Sequence, residues 1–423
     1  MNQSLIDELL WRESIAQSTD IEKLKSELEA GSISLYLGFD PTAPSLHLGN
    51  LVALVVLKRF QMAGHRPIPL VGGATGLVGD PSGRNQERTL NEEEVVSGWV
   101  ERIKAQLSNF LEFETGENRA VMANNMDWTA PISAISFLRD IGKHFSVNQM
   151  LSRDSVASRL ETGGISYTEF SYQVMQALDY LELFKREKCV LQIGGSDQWG
   201  NIVAGVDLIR RVEGKHVHAL TIPLLTKSDG SKFGKTASGS VWLDPELTSP
   251  YALYQFFLNS DDKDLVKLLK TFSFKSKSEL ELIFAEHESN PGTRSAHRAL
   301  ALEVTSYIHG KEIADRVEVA GKALFGQGDL FALDLETLEF ALRELPRVEV
   351  SLDQIPSWID LMAASKVVDS KSAARRIVKE GGAYINNEKV AREDFAPAPS
   401  DFIHGKFALL RKGKKELVAV ILR

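Results

Sequence analysis

The chain has 423 residues, of which 43% are apolar and 25% are charged, and its net charge at pH 7 is −8. This composition is that of a globular protein and excludes a disordered or fibrous one. No uninterrupted apolar run approaches the roughly 18 residues that a membrane-spanning helix needs, so we expect no membrane partner.

The charge is unevenly distributed along the chain. From Leu361 to Arg423 there are thirteen Lys and Arg against seven Asp and Glu, a net charge of +6 that leaves −14 for the rest. A basic module on an acidic body is typical of a protein that binds a polyanion at one end. A basic tail that serves only solubility would give the same pattern.

Two features favour a reducing, cytoplasmic location. The single cysteine, Cys189, cannot form an internal disulfide. The first twenty residues, MNQSLIDELLWRESIAQSTD, lack the basic start and the apolar core of a signal peptide.

The first half of the chain alternates strands with helices. GSISLYLGFD predicts a strand, PTAPSLHLGN a turn, and LVALVVLKRFQMAG a helix that ends at Gly64. RPIPLVGGATG and KCVLQIGGSDQWGN repeat the strand and the glycine turn. We therefore predict a Rossmann-like parallel α/β domain over residues 1–243, with its ligands beyond the carboxyl ends of the strands.

The second half predicts two further domains. Residues 244–345 show only helical periodicity, which predicts an α-helical domain. The segment ELPRVEVSLDQIPS resembles a linker. Residues 352–423 then predict two helices, a strand and a hairpin with a basic turn, an α+β module whose turns lie at Gly381–Gly382 and Asn386–Asn387.

Two common nucleotide motifs are missing from the sequence. The glycines of GGATGLVG do not have the G-x-G-x-x-G spacing of dinucleotide-binding proteins, and no G-x-x-x-x-G-K-[ST] loop occurs. These absences argue against a dehydrogenase and a P-loop protein. The sequence also lacks clusters of Cys and His with metal-ligand spacing, so we expect no protein-bound metal site.

A polar stripe runs along the predicted helix SYTEFSYQVMQALDYLELF. Tyr172, Gln176 and Asp179 stand at i, i+4 and i+7, so they share one face. Such a stripe usually faces solvent, but phenol and amide groups are poor solubilising groups. If the stripe is buried, a small polar ligand could supply the partners that it needs.

Two further segments could bind phosphate. His47 and Asn50 lie in the first turn of a helix, where free backbone N–H groups and positive potential favour anions. The loop KFGKT places Lys232, Lys235 and Thr236 between glycines. Either segment alone could equally be a helix cap or a solvated turn.

Taken together, these motifs resemble a known family. The His-x-Gly-x motif after the first strand and the Lys-x-x-Lys-[Ser/Thr] loop after the last resemble the paired signatures of class I aminoacyl-tRNA synthetases. YLGFDPTAPSLHLGN, LVGGATGLVGDPSG, YTEFSYQVMQALDY and LQIGGSDQWGN resemble the bacterial tyrosyl-tRNA synthetases in particular. The tail SKSAARRIVKEGGAYINNEKV is similar to their S4-type RNA-binding module.

The resemblance implies a role for each candidate residue in forming tyrosyl-adenylate from L-tyrosine and ATP and passing the tyrosyl group to tRNA(Tyr). It implies a tyrosine site made of Tyr36, Asp80, Tyr172, Gln176, Asp179 and Gln198. It implies an ATP site, with Mg²⁺ accompanying the nucleotide, made of Asp40, Thr42, His47, Gly49, Asn50, Arg84, Arg88, Asp197, Lys232, Lys235 and Thr236. In the S4-like module we assign RNA binding to Lys371, Arg375, Arg376, Lys379, Arg411, Lys412, Lys414 and Lys415.

The sequence departs from the family signature at one position. The last residue of the His-x-Gly-His signature is Asn50 here, and asparagine keeps a donor but carries no charge. Family members are homodimers, and we expect the same. Three alternatives stay open: a tryptophan-activating synthetase, a nucleotidylyltransferase that does not act on RNA, and an RNA-binding protein with an inert synthetase body.

Overall fold

The computed structural model describes residues 4–82, 91–236, 239–351, 357–390, 398–413 and 416–423. The strands are β1 Gln17–Ser18, β2 Ser34–Phe39, β3 Arg66–Val71, β4 Ala123–Asn124, β5 Cys189–Gly195, β6 His218–Ile222, β7 Lys235–Thr236, β8 Gly239–Ser240, β9 Arg347–Val350, β10 Ala383–Ile385, β11 Glu388–Lys389, β12 Phe407–Lys412 and β13 Glu416–Leu422.

The helices alternate with these strands in the first half of the chain and dominate the second. They are α1 Leu5–Trp11, α2 Ile21–Ala30, α3 Leu48–Met62, α4 Thr75–Val78, α5 Glu93–Leu107, α6 Met126–Thr129, α7 Ala134–Ser136, α8 Val147–Leu151, α9 Asp154–Thr162, α10 Tyr167–Glu187, α11 Trp199–Glu213, α12 Pro250–Leu258, α13 Asp262–Phe272, α14 Lys277–Ser289, α15 Ser295–His309, α16 Lys311–Leu324, α17 Leu335–Arg343, α18 Trp358–Ala364 and α19 Lys371–Lys379.

The chain folds into two compact units. Unit 1 comprises Met1–Asp244 with Asp261–Leu280, and unit 2 comprises Pro245–Ser260 with Glu281–Arg423. The division into three domains at 1–243, 244–345 and 352–423 stays a prediction.

Unit 1 is built on a six-stranded sheet with the order β1-β6-β5-β2-β3-β4. Strands β2 to β6 are parallel, and only the short edge strand β1 is antiparallel. The chain adds β3 and β4 on one side of β2 and later adds β5 and β6 on the other, so the strand order reverses at β2. The prediction of a Rossmann-like parallel sheet is confirmed, and this reversal is where such folds form a ligand crevice.

Helix α10 carries the polar stripe and packs on the sheet. Its N-cap Ser166 accepts a hydrogen bond from the Glu169 backbone N–H, and it ends at Lys188 in the left-handed conformation, with φ of 56°. Strand β5 begins at the next residue. One face of α10 packs into the apolar core of unit 1 through Ala177, Leu178 and Leu181. The polar stripe lies on a different face of the helix.

Unit 2 contains helices and a second sheet. The sheet has five strands in the order β11-β10-β12-β13-β9, and β12 and β13 form the predicted hairpin. The linker interpretation of ELPRVEVSLDQIPS is wrong for Arg347–Val350, which form β9 and pair in parallel with β13. The strand is short and half exposed, and its alternating charged and valine residues gave only a weak strand pattern.

Three side chains of the C-terminal sheet region bind α16, α17 and the loop between these two helices. Asn387 Nδ2 donates to the carbonyl of Ala323, 2.6 Å away, near the end of α16. His404 Nε2 lies 2.6 Å from the carbonyl of Leu333. Lys406 forms an ion pair of 2.7 Å with Glu339 of α17. Polar contacts at three separate points therefore fix the sheet to these two helices and the loop between them.

In the part of the chain that the structure describes, no helix combines the length and the apolar character needed to cross a membrane.

Candidate active site

A cavity of about 980 Å³ opens in unit 1 at the carboxyl ends of the central parallel strands. The structure brings most of the predicted substrate residues together around it. Those that line the cavity are Tyr36, Asp40, Thr42, His47, Gly49, Asn50, Asp80, Tyr172, Gln176, Asp179, Asp197, Gln198, Lys232 and Lys235. Thr236 does not line it, and Arg84 and Arg88 lie outside the described residues.

The polar stripe of α10 faces this cavity. Tyr172 is 6% exposed and Asp179 is 2% exposed, so the stripe is buried and does not face solvent. The Tyr172 hydroxyl donates to Asp40 Oδ2 at 2.7 Å. Gln176 Oε1 is buried and has no hydrogen-bond partner among the described residues. A ligand donor would satisfy that oxygen.

At one end of the stripe, two donors hold the Asp179 carboxylate. Trp128 Nε1 donates to Oδ1 at 2.8 Å, and Asn125 Nδ2 donates to Oδ2 at 3.0 Å. Burial raises the pKa of Asp179 to about 7, although both hydrogen bonds lower it. The carboxyl group is therefore poised to change charge near neutral pH.

Tyr36 lines the same cavity from strand β2. It is 1% exposed, and its ring lies 5.3 Å from that of Tyr180. Burial, and secondarily the charge of Asp179, raises the pKa of Tyr36 well above its ordinary value, so the phenol is neutral. Its hydroxyl has no hydrogen-bond partner among the described residues. A buried hydroxyl without a partner is costly, and a polar ligand group would remove that cost.

A chain of hydrogen bonds joins Asp179 to Asp40. Asn125 Nδ2 also donates to Thr75 Oγ1 at 2.9 Å, and Thr75 Oγ1 donates to Asp40 Oδ1 at 2.7 Å. At Gly72 a Cβ atom would lie 2.0 Å from Asp40 Oδ1, so only glycine permits this arrangement. The two ends of the α10 stripe are thus connected through side chains of three other segments.

The sequence analysis missed Thr75, Asn125 and Trp128. Asn125 follows directly after β4, whose carboxyl end lies at the same edge of the sheet as that of β3. The polar pair Asn124–Asn125 after a short apolar run was the available signal. Nothing in the sequence indicated that Trp128 would donate to a carboxylate.

A second polar group surrounds Asp80. Gln198 Nε2 donates to Asp80 Oδ2 at 2.6 Å, and the Ser82 backbone N–H donates to Oδ1 at 3.0 Å. Asn201, also missed from the sequence, lies 3.3 Å from Gln198 Oε1. For the neighbouring Asp197, burial and then the charge of Asp80 raise the pKa. The cavity therefore holds a fixed acceptor at Asp80 beside the oriented amide of Gln198.

His47 and Asn50 form a reciprocal cap at the start of α3. The Asn50 backbone N–H donates to His47 Nδ1 at 3.3 Å, and the His47 backbone N–H donates to Asn50 Oδ1 at 3.0 Å. Burial, and to a lesser degree the charge of Lys235, lowers the pKa of His47, so the ring is neutral with its proton on Nε2. At Gly49 a Cβ atom would lie 2.8 Å from the His47 ring. This contact explains the glycine of the His-x-Gly motif.

The lysine loop forms a short hairpin beside the cavity. Thr226 and Lys232 form an isolated antiparallel β-bridge between their backbones. The Phe233 backbone N–H donates to the carbonyl of Leu225 at 3.1 Å. Lys232 and Lys235 are exposed, and neither forms an ion pair within the described ranges. Thr236 Oγ1 donates to the carbonyl of Gly239 at 3.1 Å. Two ammonium groups are thus available at the mouth of the cavity.

The predicted RNA-binding residues lie in unit 2. Lys371, Arg375, Arg376 and Lys379 are exposed along α19, at spacings that place them on one side of the helix. The Arg411 guanidinium lies 3.9 Å from the centroid of the Tyr384 ring.

Three of the basic side chains have acidic neighbours, and the longest of these contacts joins Arg376 to Glu380 at 4.0 Å. Lys371 forms an ion pair of 2.7 Å with Asp360, and Lys412 forms one of 2.8 Å with Glu416. Lys414 and Lys415 lie outside the described residues.

Comparisons with known proteins agree with this geometry. Residues 28–326 match the family described as tRNA synthetases class I (W and Y), and residues 337–420 match the tyrosine–tRNA ligase SYY-like C-terminal domain. The chain is 57% identical over 418 residues to a tyrosine–tRNA ligase of Streptomyces coelicolor and 56% identical over 418 residues to that of Streptomyces avermitilis. Each alignment covers 98% of both chains.

A solved structure is also similar. A C-terminally truncated mitochondrial tyrosyl-tRNA synthetase of Aspergillus nidulans matches with a TM-score of 0.70 and 32% identity, over 77% of this chain and 95% of that one. The chain therefore belongs to the class I tRNA synthetases and, within that class, to the tyrosine–tRNA ligase family. It is an enzyme of the ligase type, and aminoacyl-tRNA synthetases use ATP as a substrate.

Proposed function

We propose that the cavity of unit 1 binds L-tyrosine and ATP, forms tyrosyl-adenylate and pyrophosphate, and passes the tyrosyl group to the 3′ end of tRNA(Tyr). In the first step the tyrosine carboxylate attacks the α-phosphate. A carboxylate is already ionised at pH 7, so this step needs no general base. The chain would contribute placement of the reactants and stabilisation of the charge on the leaving pyrophosphate.

The observation that carries the proposal is the Tyr36 hydroxyl, which has no hydrogen-bond partner in the described part of the chain and lies in the cavity that Asp179 also lines. The phenol of L-tyrosine would donate to Asp179 and accept from Tyr36. Phenylalanine would leave the Tyr36 hydroxyl without a partner in a buried site, and enzymes of this family are a standard example of such selection.

The other end of the amino acid would meet the remaining polar groups of the cavity. Asp80, Tyr172 and the free Oε1 of Gln176 would bind the ammonium group. Gln198 would orient the carboxylate, because Asp80 already holds its amide. The substrate would then be fixed at both ends, which is what in-line attack on a phosphate requires.

ATP would bind on the side of the cavity formed by the start of α3 and the lysine loop. The residues assigned to it are Asp40, Thr42, His47, Gly49, Asn50, Asp197, Lys232, Lys235 and Thr236, with Arg84 and Arg88 from outside the described residues. The two lysine ammonium groups and the N–H groups at the start of α3 are donors that suit phosphate oxygens, whereas the Asp40 and Asp197 carboxylates are acceptors that suit ribose hydroxyls. Mg²⁺ prefers phosphate and water oxygens, so it would enter on the triphosphate.

The second step needs a surface for RNA, and we assign it to the basic face of α19 together with Arg411 and Lys412. We also propose a homodimer. The support is a set of exposed apolar side chains between residues 135 and 167 of unit 1, which burial in an interface would stabilise: Ile135, Leu138, Val147, Leu160 and Tyr167, at 49% to 71% exposure. A cytoplasmic location fits both assignments.

The test is ATP–pyrophosphate exchange measured with each of the twenty amino acids. We expect exchange with tyrosine only. Exchange driven by tryptophan and not by tyrosine would identify the alternative synthetase, and no exchange with any amino acid would identify an inert body. A charging assay with tRNA then separates a synthetase from a nucleotidylyltransferase.

A further inference from the structure

Helix α13 contacts the base of the lysine loop through two polar side chains. Asp264 Oδ1 accepts a hydrogen bond of 2.7 Å from the Ser228 backbone N–H, and Lys267 Nζ donates to the carbonyl of Thr226 at 3.2 Å. Asp264 is 7% exposed. Thr226 pairs with Lys232 in a β-bridge, so the bond from Lys267 to Thr226 fixes the backbone beside the first lysine of the loop.

The same face of α13 also holds the middle of the loop by an apolar contact. Phe233, which lies between the two lysines, is 9% exposed, and its ring centroid is 6.1 Å from that of Phe272. Asp264 and Phe272 are eight residues apart, so they lie on one side of the helix. One helix face therefore contacts the loop both below the lysines and between them.

The far end of α13 is itself fixed. Arg12, only 2% exposed, donates to the carbonyls of Lys270 and Ser273 at 3.0 Å, and Arg59 donates to that of Ser273 at 2.6 Å. Glu8 accepts from both guanidinium groups, at 2.7 and 3.1 Å. Arg59 belongs to α3, whose first turn carries the His47 cap. Helix α13, which contacts the lysine loop, is thus hydrogen-bonded to α3, which carries the His47 cap.

From these contacts we propose that Asp264 and Lys267 are positioning residues for Lys232 and Lys235. They hold the base of the loop at a fixed place on α13, so the two ammonium groups reach the departing pyrophosphate without a search over loop conformations. The proposal rests on the proposed function of the cavity. It assigns the loop's placement to a helix that contributes no residue to the cavity lining.

The test compares Asp264→Ala and Lys267→Met with the unmodified chain in pre-steady-state adenylate formation. Each variant should form tyrosyl-adenylate about tenfold more slowly, because a small misplacement of a charged group is costly in rate. The affinity for tyrosine, measured in the absence of ATP, should not change. Hydrogen exchange in residues 225–236 should become faster.

Two matched variants control for charge and folding. Asp264→Asn keeps an acceptor oxygen for the Ser228 N–H and should restore most of the rate. Lys263→Met removes the same charge from an exposed position one turn away and should be neutral. A general loss of structure would weaken tyrosine binding in parallel with the rate, and that outcome would overturn the proposal.

Rates within about twofold of the unmodified chain for both Asp264→Ala and Lys267→Met would also overturn it. These failures are distinct from failure of the proposed function. If the unmodified chain shows no exchange with tyrosine, the function is wrong. If the unmodified chain is active and the variants equal it, only the positioning role is wrong.

Discussion

Tyr36 and Asp179 line the same cavity with opposite hydrogen-bonding states. Both carboxylate oxygens of Asp179 accept bonds, from Trp128 and Asn125, whereas the Tyr36 hydroxyl has no partner among the described residues. Without a ligand, the unpaired hydroxyl makes the folded state less stable by about 1 to 3 kcal/mol. Removal of the Tyr36 hydroxyl should therefore weaken tyrosine binding without lowering the stability of the protein.

Tyr36→Phe should weaken tyrosine binding while leaving stability unchanged or slightly increased. The variant removes a hydroxyl that has no partner within the described ranges and that the ligand is proposed to satisfy. The free energy of tyrosine binding should therefore weaken by about 0.5 to 1.5 kcal/mol, and discrimination against phenylalanine should fall with it. Equilibrium binding of both amino acids and the unfolding temperature test this.

Tyr180→Phe is the matched control for Tyr36→Phe. Its ring packs against that of Tyr36, but its hydroxyl donates to the carbonyl of His218 at 2.8 Å. This variant should lose stability and keep its tyrosine affinity. If Tyr36→Phe behaved in the same way, the orphan hydroxyl would not be a ligand group.

The pKa of Asp179 makes stability depend on pH. Burial raises the pKa to about 7, above the ordinary value of 3.8, so between these values the folded state binds a proton that the unfolded state has lost. The contribution of Asp179 is therefore largest at acid pH. It declines as the pH rises toward 7, by at most about 1.4 kcal/mol per pH unit.

The measurement compares unfolding temperatures of the unmodified chain and Asp179→Asn at pH 5 and pH 8. The unmodified chain should lose stability relative to the variant on going to pH 8. A constant difference between the two proteins across this range would show that the carboxyl does not titrate there.

Lys235→Met should raise the activation free energy of adenylate formation by about 2.7 to 4 kcal/mol, as removal of one transition-state donor does. The affinity for tyrosine should stay the same, because the ammonium group is proposed to act on the pyrophosphate. Single-turnover rates measure the effect. Lys227→Met is the control, since Lys227 lies in the turn that precedes the two lysines and does not line the cavity. Equal rates for the two variants would contradict the assignment.

Asn387→Gly should impair tRNA charging without affecting tyrosine activation. The variant removes the bond to Ala323 that helps to fix the C-terminal sheet to α16, and glycine tolerates the φ of 68° at this position. We expect kcat/KM for tRNA to fall by about threefold to tenfold, which corresponds to one hydrogen bond. Pyrophosphate exchange should be unchanged.

Asn386→Gly serves as the comparison for Asn387→Gly. The Asn386 side chain bonds to Leu409 and Asp401 inside the C-terminal sheet region and not to the helices. Its loss should lower the unfolding temperature of unit 2. Equal charging by Asn387→Gly and the unmodified chain would argue against a role for this docking contact.

Much of the fold followed from local pattern. The apolar strands β2, β3 and β5 and the glycine turns after them predicted the parallel sheet, because buried parallel strands read as continuous apolar runs. The spacing of Tyr172, Gln176 and Asp179 predicted one face because a helix has a fixed period. Strand β9 was missed because it is stabilised by pairing with β13, a partner about seventy residues away in sequence.

The connections within the site could not be predicted in the same way. Trp128 and Asn125 meet Asp179 only after three segments pack together, and Arg12 reaches the end of α13 across more than 250 residues. Asn50 departs from the family signature, yet its amide oxygen completes the cap with His47. Such contacts depend on tertiary packing, which no local period encodes.

The hydrogen-bond chain from Asp179 through Asn125 and Thr75 to Asp40 has a consequence for altering the enzyme. If Asp179 meets the phenol of the substrate as proposed, a redesign for a para-substituted amino acid replaces that carboxylate. Asn125 then stays in place, because its Oδ1 accepts from the Ala74 backbone N–H at 2.7 Å and its Nδ2 still donates to Thr75 Oγ1, but one buried N–H of its amide loses its acceptor. Libraries that vary residues 179 and 125 together should therefore outperform those that vary either alone.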